Sequence, residues 1–163
     1  MIKYITPLLL CCCSAEYGRS YNLYMDSALS SMAQEQIIRA ADQWTEKTGV
    51  KFHIDYSPCY QARGDYNICV INSNLAQVRE VCKVSNAVEC ADVTSYTADT
   101  YIYVADDRYS PDNPRYLHAI LHELGHSLGL QHTNNIDDIM FPIINDKIEL
   151  SENDINQYKS LRK

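Results

Sequence analysis

The sequence predicts a single α/β domain of five strands and about three helices. Strand-like runs rich in β-branched and aromatic residues alternate with stretches of helical apolar periodicity along the chain. Its 163 residues suffice for one sizeable core and are too few for two. A hydrophobic fraction of 46 % with 21 % charged residues is that of an ordinary globular protein, and 13 tyrosines suit half-buried strand positions.

Residues 1–15 read as an export signal. Lys3 gives a positive start, Ile5 to Leu10 and the following cysteines a short apolar core, and Ala15 a small residue before a cleavage point. The stretch is too short to remain as a transmembrane helix. Cys11, Cys12 and Cys13 raise an alternative, a lipoprotein signal whose cysteine becomes a lipid anchor. The residue before such a cysteine is normally small, and Leu10 fits poorly, so free secretion is expected and a lipid-anchored cell-surface protein is the alternative. Residues 16–163 then form the folded domain.

Tyr21 to Met25 is the first strand. A helix follows over 32–48, with Ser31 and Gln34 as a capping-box pair, Ile37, Ile38, Ala41 and Trp44 on one face, and Gly49 closing it. Val50 to Tyr56 alternates with period two, placing Val50, Phe52, Ile54 and Tyr56 on one face and His53 on the other, where a surface histidine is expected. Ile68-Cys69-Val70-Ile71, within a strand over 67–72, is a run suited to burial on both faces. Arg63-Gly64-Asp65 before it spells an integrin-recognition tripeptide, which three residues match too easily for weight. Two more strands are expected over 91–96 and 100–105. Asn113 then caps a helix with Pro114 at its first position, and Leu117, Leu121, Leu124 and Leu128 mark its buried face. A terminal helix starts at Ser151, with Asp154 as capping-box partner and Leu150 stapled to Ile155.

The net charge is −7 with a pI near 5.1; loss of residues 1–15 removes Lys3 alone and leaves about −8. No cluster of Lys and Arg is present, so neither nucleic acid nor an anionic membrane surface is expected as a partner. The region after the signal holds Cys59, Cys69, Cys82 and Cys90. In an exported chain these read as two disulfides with three possible connectivities. Local pairing is expected, Cys59 with Cys69 and Cys82 with Cys90; a four-cysteine zinc site is disfavoured because no C-x-x-C pair exists.

The chemistry is carried by residues 122–132, which spell H-E-x-x-H-x-x-G-x-x-H. Residues four apart on a helix lie roughly 5–6 Å apart at Cβ, so His122 and His126 present two imidazoles to one point. Glu123 neighbours the first ligand and can reach a metal-bound water without being a ligand, as a general base must. A helix continuing through His132 would carry that ring about 9 Å further along the axis. Gly129 therefore has to stop the helix, since glycine accepts the left-handed conformation, and the chain doubles back to present His132. Three histidines and a water make a tetrahedral catalytic zinc site. His118, one turn before His122, cannot converge with the other two on one ion along a straight helix.

With Met140 eight residues past His132, in Ile139-Met140-Phe141-Pro142, this pattern resembles the metzincin metalloproteases, and among them the matrixins. Pro142 stands where the astacin branch carries a Tyr, and the terminal Leu150-Ser151-Glu152-Asn153-Asp154-Ile155 is similar to the last matrixin helix. The resemblance implies a zincin-like α+β architecture with a twisted, mixed, mostly parallel five-stranded sheet. It also implies a secreted zinc endopeptidase, monomeric, that binds a protein or peptide substrate as an extended strand along an edge strand over 91–96.

By the same resemblance Met140 forms a hydrophobic floor beneath the zinc. His118, Pro142, Ile143 and Ile144 border the pocket for the side chain after the scissile bond. Ile144 departs from the family's Tyr there. No inhibitory pro-segment is expected. A second, structural zinc cannot be assembled, because only His53 and His118 remain. Calcium is left open, with Asp99, Asp106, Asp107 and Asp112 as candidate ligands lacking EF-hand spacing. Two other classes compete with the protease. A non-catalytic metzincin-fold binding module would be expected to lose Glu123 or a ligand; an adhesion module would depend on Arg63-Gly64-Asp65.

Overall fold

The computed structural model describes residues 19–62, 64, 66–82, 89–93, 99–105 and 109–162, and of residues 82 and 89–93 the backbone alone. The signal over 1–15, Arg63, Asp65, Asp106, Asp107 and the side chains of Cys82 and Cys90 lie outside the described residues.

Five strands form one sheet: β1 (Ser20–Met25), β2 (Lys51–Asp55), β3 (Asn67–Ser73), β4 (Glu89–Val93) and β5 (Thr100–Ala105), in the order β2-β1-β3-β5-β4. The pairs β1–β2, β1–β3 and β3–β5 are parallel, and β4 runs antiparallel to β5. The mixed, mostly parallel five-stranded sheet is as expected. Four α-helices accompany it: α1 (Ser31–Thr48), α2 (Leu75–Cys82), α3 (Pro114–Ser127) and α4 (Glu152–Ser160).

Several elements depart from the sequence reading. Helix α1 is capped one residue earlier, by Ser30, whose hydroxyl accepts from the Ala33 N–H at 3.2 Å, so the Ser31–Gln34 box does not form. Strand β2 ends at Asp55 because its carboxylate accepts the Ser57 N–H at 2.8 Å in an Asx turn, and Tyr56 swings out to 61 % exposure. Strand β4 is described over 89–93, so it begins two residues before the expected 91, with Val93 opposite Thr100; residues 94–96 of the expected strand lie outside the described residues. Helix α2 was not foreseen; Asn74 and Gln77 bond each other's backbone N–H groups, at 3.0 and 3.1 Å, in a reciprocal cap.

The parallel order puts alternate residues of β1, β3 and β5 on one face. Leu23, Met25, Ile68, Val70, Ile102 and Val104 are buried there, in one core with Ala33, Ile37, Ala41 and Trp44 of α1 and Leu117, Leu121 and Leu124 of α3. Each such aliphatic side chain stabilises by about 1.5–3 kcal/mol on full burial. The opposite face carries Tyr24, Cys69 and Tyr101 in register across β1, β3 and β5. Helix α3 packs against α1 and against β4, the edge strand of the sheet. No described helix is long and apolar enough to cross a membrane.

Candidate metal centre

Helix α3 starts as the sequence anticipates: the Asn113 side chain accepts the Arg115 N–H at 3.0 Å and Pro114 occupies the first position. It stops at Leu128. The Leu130 N–H bonds the Gly125 carbonyl at 3.0 Å and the Gly129 N–H bonds that of His126 at 2.9 Å, the two bonds of a Schellman motif, with Gly129 at φ 99°. The turn aims Leu130 back toward the helix, so that its carbonyl accepts from His126 Nδ1 at 3.0 Å. The residue that stops the helix thus also orients the second imidazole. Beyond it the chain returns His132 to the others.

The three Nε2 atoms converge: His122 to His126 3.1 Å, His126 to His132 3.1 Å and His122 to His132 3.2 Å. Tetrahedral zinc with bonds of about 2.0–2.1 Å spaces its nitrogens about 3.3–3.4 Å apart, so this set fits zinc with little adjustment. His122 Nδ1 donates to the Ile139 carbonyl at 2.7 Å. A carbonyl can only accept, so the Nδ1 atoms of His122 and His126 carry the protons and their Nε2 atoms present lone pairs. Lone pairs at this separation repel one another, and a cation among them removes the conflict. Burial pushes His122 down to about 3 and His126 below its ordinary value, keeping both neutral and ready to ligate. His132 is the exposed member, and His126 is intermediate. Among the described residues, no other three His, Cys, Asp or Glu side chains converge in this way.

Glu123 follows His122 on the helix and is 6 % exposed. Met140 is fully buried, and a Cβ on Gly125 would overlap its Sδ and lie 3.3 Å from Trp44 Cζ2. Gly125 is therefore the close-approach point of α3, Met140 and α1. The indole of Trp44 also donates to the Leu121 carbonyl at 3.1 Å.

The turn around Met140 is held through its backbone. Buried Asp154 accepts the Ile139 N–H at 2.9 Å and the Met140 N–H at 3.1 Å while accepting the Ser151 N–H at 2.9 Å as capping-box partner of α4. The Met140 carbonyl accepts the Thr133 N–H at 2.9 Å, tying the turn to the residue after His132. Asp138, also buried, accepts from Ser151 Oγ at 2.8 Å, Asn153 Nδ2 at 2.7 Å and Asn135 Nδ2 at 3.0 Å. Burial alone would raise its carboxyl, but these hydrogen bonds prevail and hold it below the ordinary value. The sequence reading gave Asp154 a capping role alone and missed Asp138. The Leu130 and Ile139 carbonyls carry no side-chain signal.

Of the remaining candidates, His118 is fully buried, its Nδ1 donating to the Lys147 carbonyl at 2.8 Å and its ring stacked 6.4 Å from that of His122. Pro142 and Ile143 are exposed and Ile144 is half-buried. Arg115 bonds Asp146 at 2.8 Å and Lys147 pairs with Asp137, fastening this segment to α3 and to the loop before the turn. His53 is exposed on β2, at the opposite edge of the sheet from β4. Asp99 accepts from Asn67 Nδ2 at 2.8 Å. Cys59 and Cys69 are neighbours whose thiols act on each other, and both are free rather than bridged.

The family model of the matrixins matches residues 19–163. The fold is similar to that of high choriolytic enzyme 1, a hatching-enzyme zinc protease of the medaka fish Oryzias latipes. The TM-score is 0.60 at 14 % identity, over 93 % of this chain and 96 % of that one. No curated protein matches in sequence.

Proposed function

The chain belongs to the matrixin family of zinc metalloendopeptidases, and from that premise we propose that it is an exported protease in which His122, His126 and His132 hold the zinc and Glu123 is the general base. The observation that carries the reading is the convergence of three Nε2 atoms at 3.1–3.2 Å, two of them on rings tied through Nδ1 to backbone carbonyls. When bound, zinc lowers the pKa of a coordinated water from 15.7 toward about 7 and polarises a peptide carbonyl.

The protein's own groups do the rest. Glu123, next to the first ligand and shielded from solvent, accepts the proton of the attacking water and returns it to the leaving amine. The Leu130 and Ile139 carbonyls fix the imidazole tautomers. A substrate strand added to the free edge of β4 would run beside α3 and past the three rings. His118, buried under the segment pinned by Asp146 and Lys147, would limit the depth of the pocket for the side chain after the scissile bond, with Pro142, Ile143 and Ile144 on its wall. Export follows from the composition of residues 1–15.

The test is fragment mass spectrometry of a denatured protein incubated with the purified, zinc-loaded chain, with and without chelator. Cuts that vanish on chelation and return with zinc are expected. Their absence from folded, zinc-loaded protein would overturn the reading in favour of a non-catalytic binding module.

A further inference from the structure

The face of the sheet turned away from α1 and α3 is covered differently from the core. Cys69 stands there at the middle of β3, fully buried, with Tyr24 and Tyr101 level with it on the neighbouring strands. Cys59 lies in the single 3-10 turn (Cys59–Gln61) of the connection between β2 and β3. Tyr66 anchors the end of that connection on the core against Tyr21, but its earlier part has little apolar cover: Tyr56 and Tyr60 are 61 % and 81 % exposed. Its described polar ties are few, the Asn22 N–H to the Tyr66 carbonyl at 3.1 Å and Asn67 Nδ2 to the Gly64 carbonyl at 3.0 Å. Where it meets the sheet, the Cys59 and Cys69 thiols, both free, are neighbours that act on each other.

We propose that Cys59 and Cys69 form a disulfide that staples the β2–β3 connection onto the back of the central strand. The chemistry is an exchange with an external disulfide, such as the oxidised form of a small thiol. The Cys59 thiolate attacks one sulfur of that disulfide and releases the first thiol. Cys69 then gives up its proton, attacks the Cys59 sulfur and releases the second. Two protein thiols are oxidised, one external disulfide is reduced to two thiols, and both protons leave with them. Cys59 is suited to attack first, because it is only half-buried and its hydrogen bond with Cys69 lowers its pKa. The same bond, with burial, raises that of Cys69. The bond closes a short loop and restrains the unfolded chain where apolar cover is thin.

The proposal does not depend on the protease reading, since the oxidation is carried out in the test tube. Purified full chain is equilibrated with glutathione disulfide, denatured in alkylating agent without reductant, and digested with trypsin. The Lys and Arg positions place Cys59 (residues 52–63), Cys69 (64–79), Cys82 (80–83) and Cys90 (84–108) in separate peptides. Expected is a linked pair of 52–63 with 64–79 that disappears on reduction. Reductant should also lower the melting temperature by about 5–10 °C, and by clearly less in a Cys59→Ser variant given the same treatment. Recovery of both cysteines alkylated, or of either joined to Cys82 or Cys90, would overturn the proposal. So would a melting temperature indifferent to reduction.

Discussion

The two halves of this molecule share one core but position their key residues by different means. From Ser20 to Ala105 the sheet and α1 are positioned by apolar burial: Leu23, Ile37, Trp44, Ile68 and Ile102 are fully enclosed. From Asn113 to Ser160 the positions that matter are set by directional bonds to backbone, with Asp154 on the Ile139 and Met140 N–H groups and two imidazoles on carbonyls. Apolar packing tolerates small shifts, whereas a ligand set tolerates few. The metal centre is built on the half whose geometry is specified bond by bond.

Substitutions of comparable size should therefore fail in different ways. His132→Ala should have the largest effect on metal, weakening zinc binding beyond the about 10–100-fold typical of outer-shell partners; competition with a chelator reads this directly. Leu23→Ala should cost about 2–5 kcal/mol of stability yet leave zinc affinity of the folded protein unchanged. Asp154→Asn reverses that balance. It keeps the volume, removes an acceptor from the turn, and should cost about 2–3 kcal/mol together with about 10–100-fold in zinc affinity. Equal zinc affinity in the Asp154→Asn and Leu23→Ala proteins would break the comparison. Gly125→Ala should cost about 1–3 kcal/mol through overpacking against Met140, visible as a lower denaturant midpoint.

Acid gives the smallest effect. The native pKa of Asp138 lies below its ordinary 3.8, so the unfolded state binds more protons as pH falls. The stability this group contributes is full above about pH 4–5 and is lost as pH drops through the native value. The stability gap between the parent and Asp138→Asn should narrow between pH 5 and 3 in denaturant titrations. A gap that widens would contradict the assignment.

The sequence made the local codes readable. The histidine spacing, the Gly129 stop, the Asn113-Pro114 start and the Ser151–Asp154 box each depend on residues within a turn or two, and each is found where the pattern puts it. What it hid was tertiary. Nothing in the string says that the box partner Asp154 reaches across to the Met140 turn, or that Trp44 donates to Leu121, 77 residues away. The Asn74–Gln77 cap of α2 is legible, but a helix of eight residues is too short for its apolar period to stand out. The start of β4 shifted where pairing rather than propensity set it, at Glu89 opposite Val104.

The central claim divides holding the metal from using it, and Glu123→Gln separates the two. The variant keeps the shape of the side chain and removes the base, so zinc per chain, measured by elemental analysis, should stay at the parent value. Turnover of a peptide cut by the parent should meanwhile fall by about 10²–10⁴-fold. Turnover near the parent rate in a zinc-loaded Glu123→Gln protein would contradict the account, as would loss of the zinc itself.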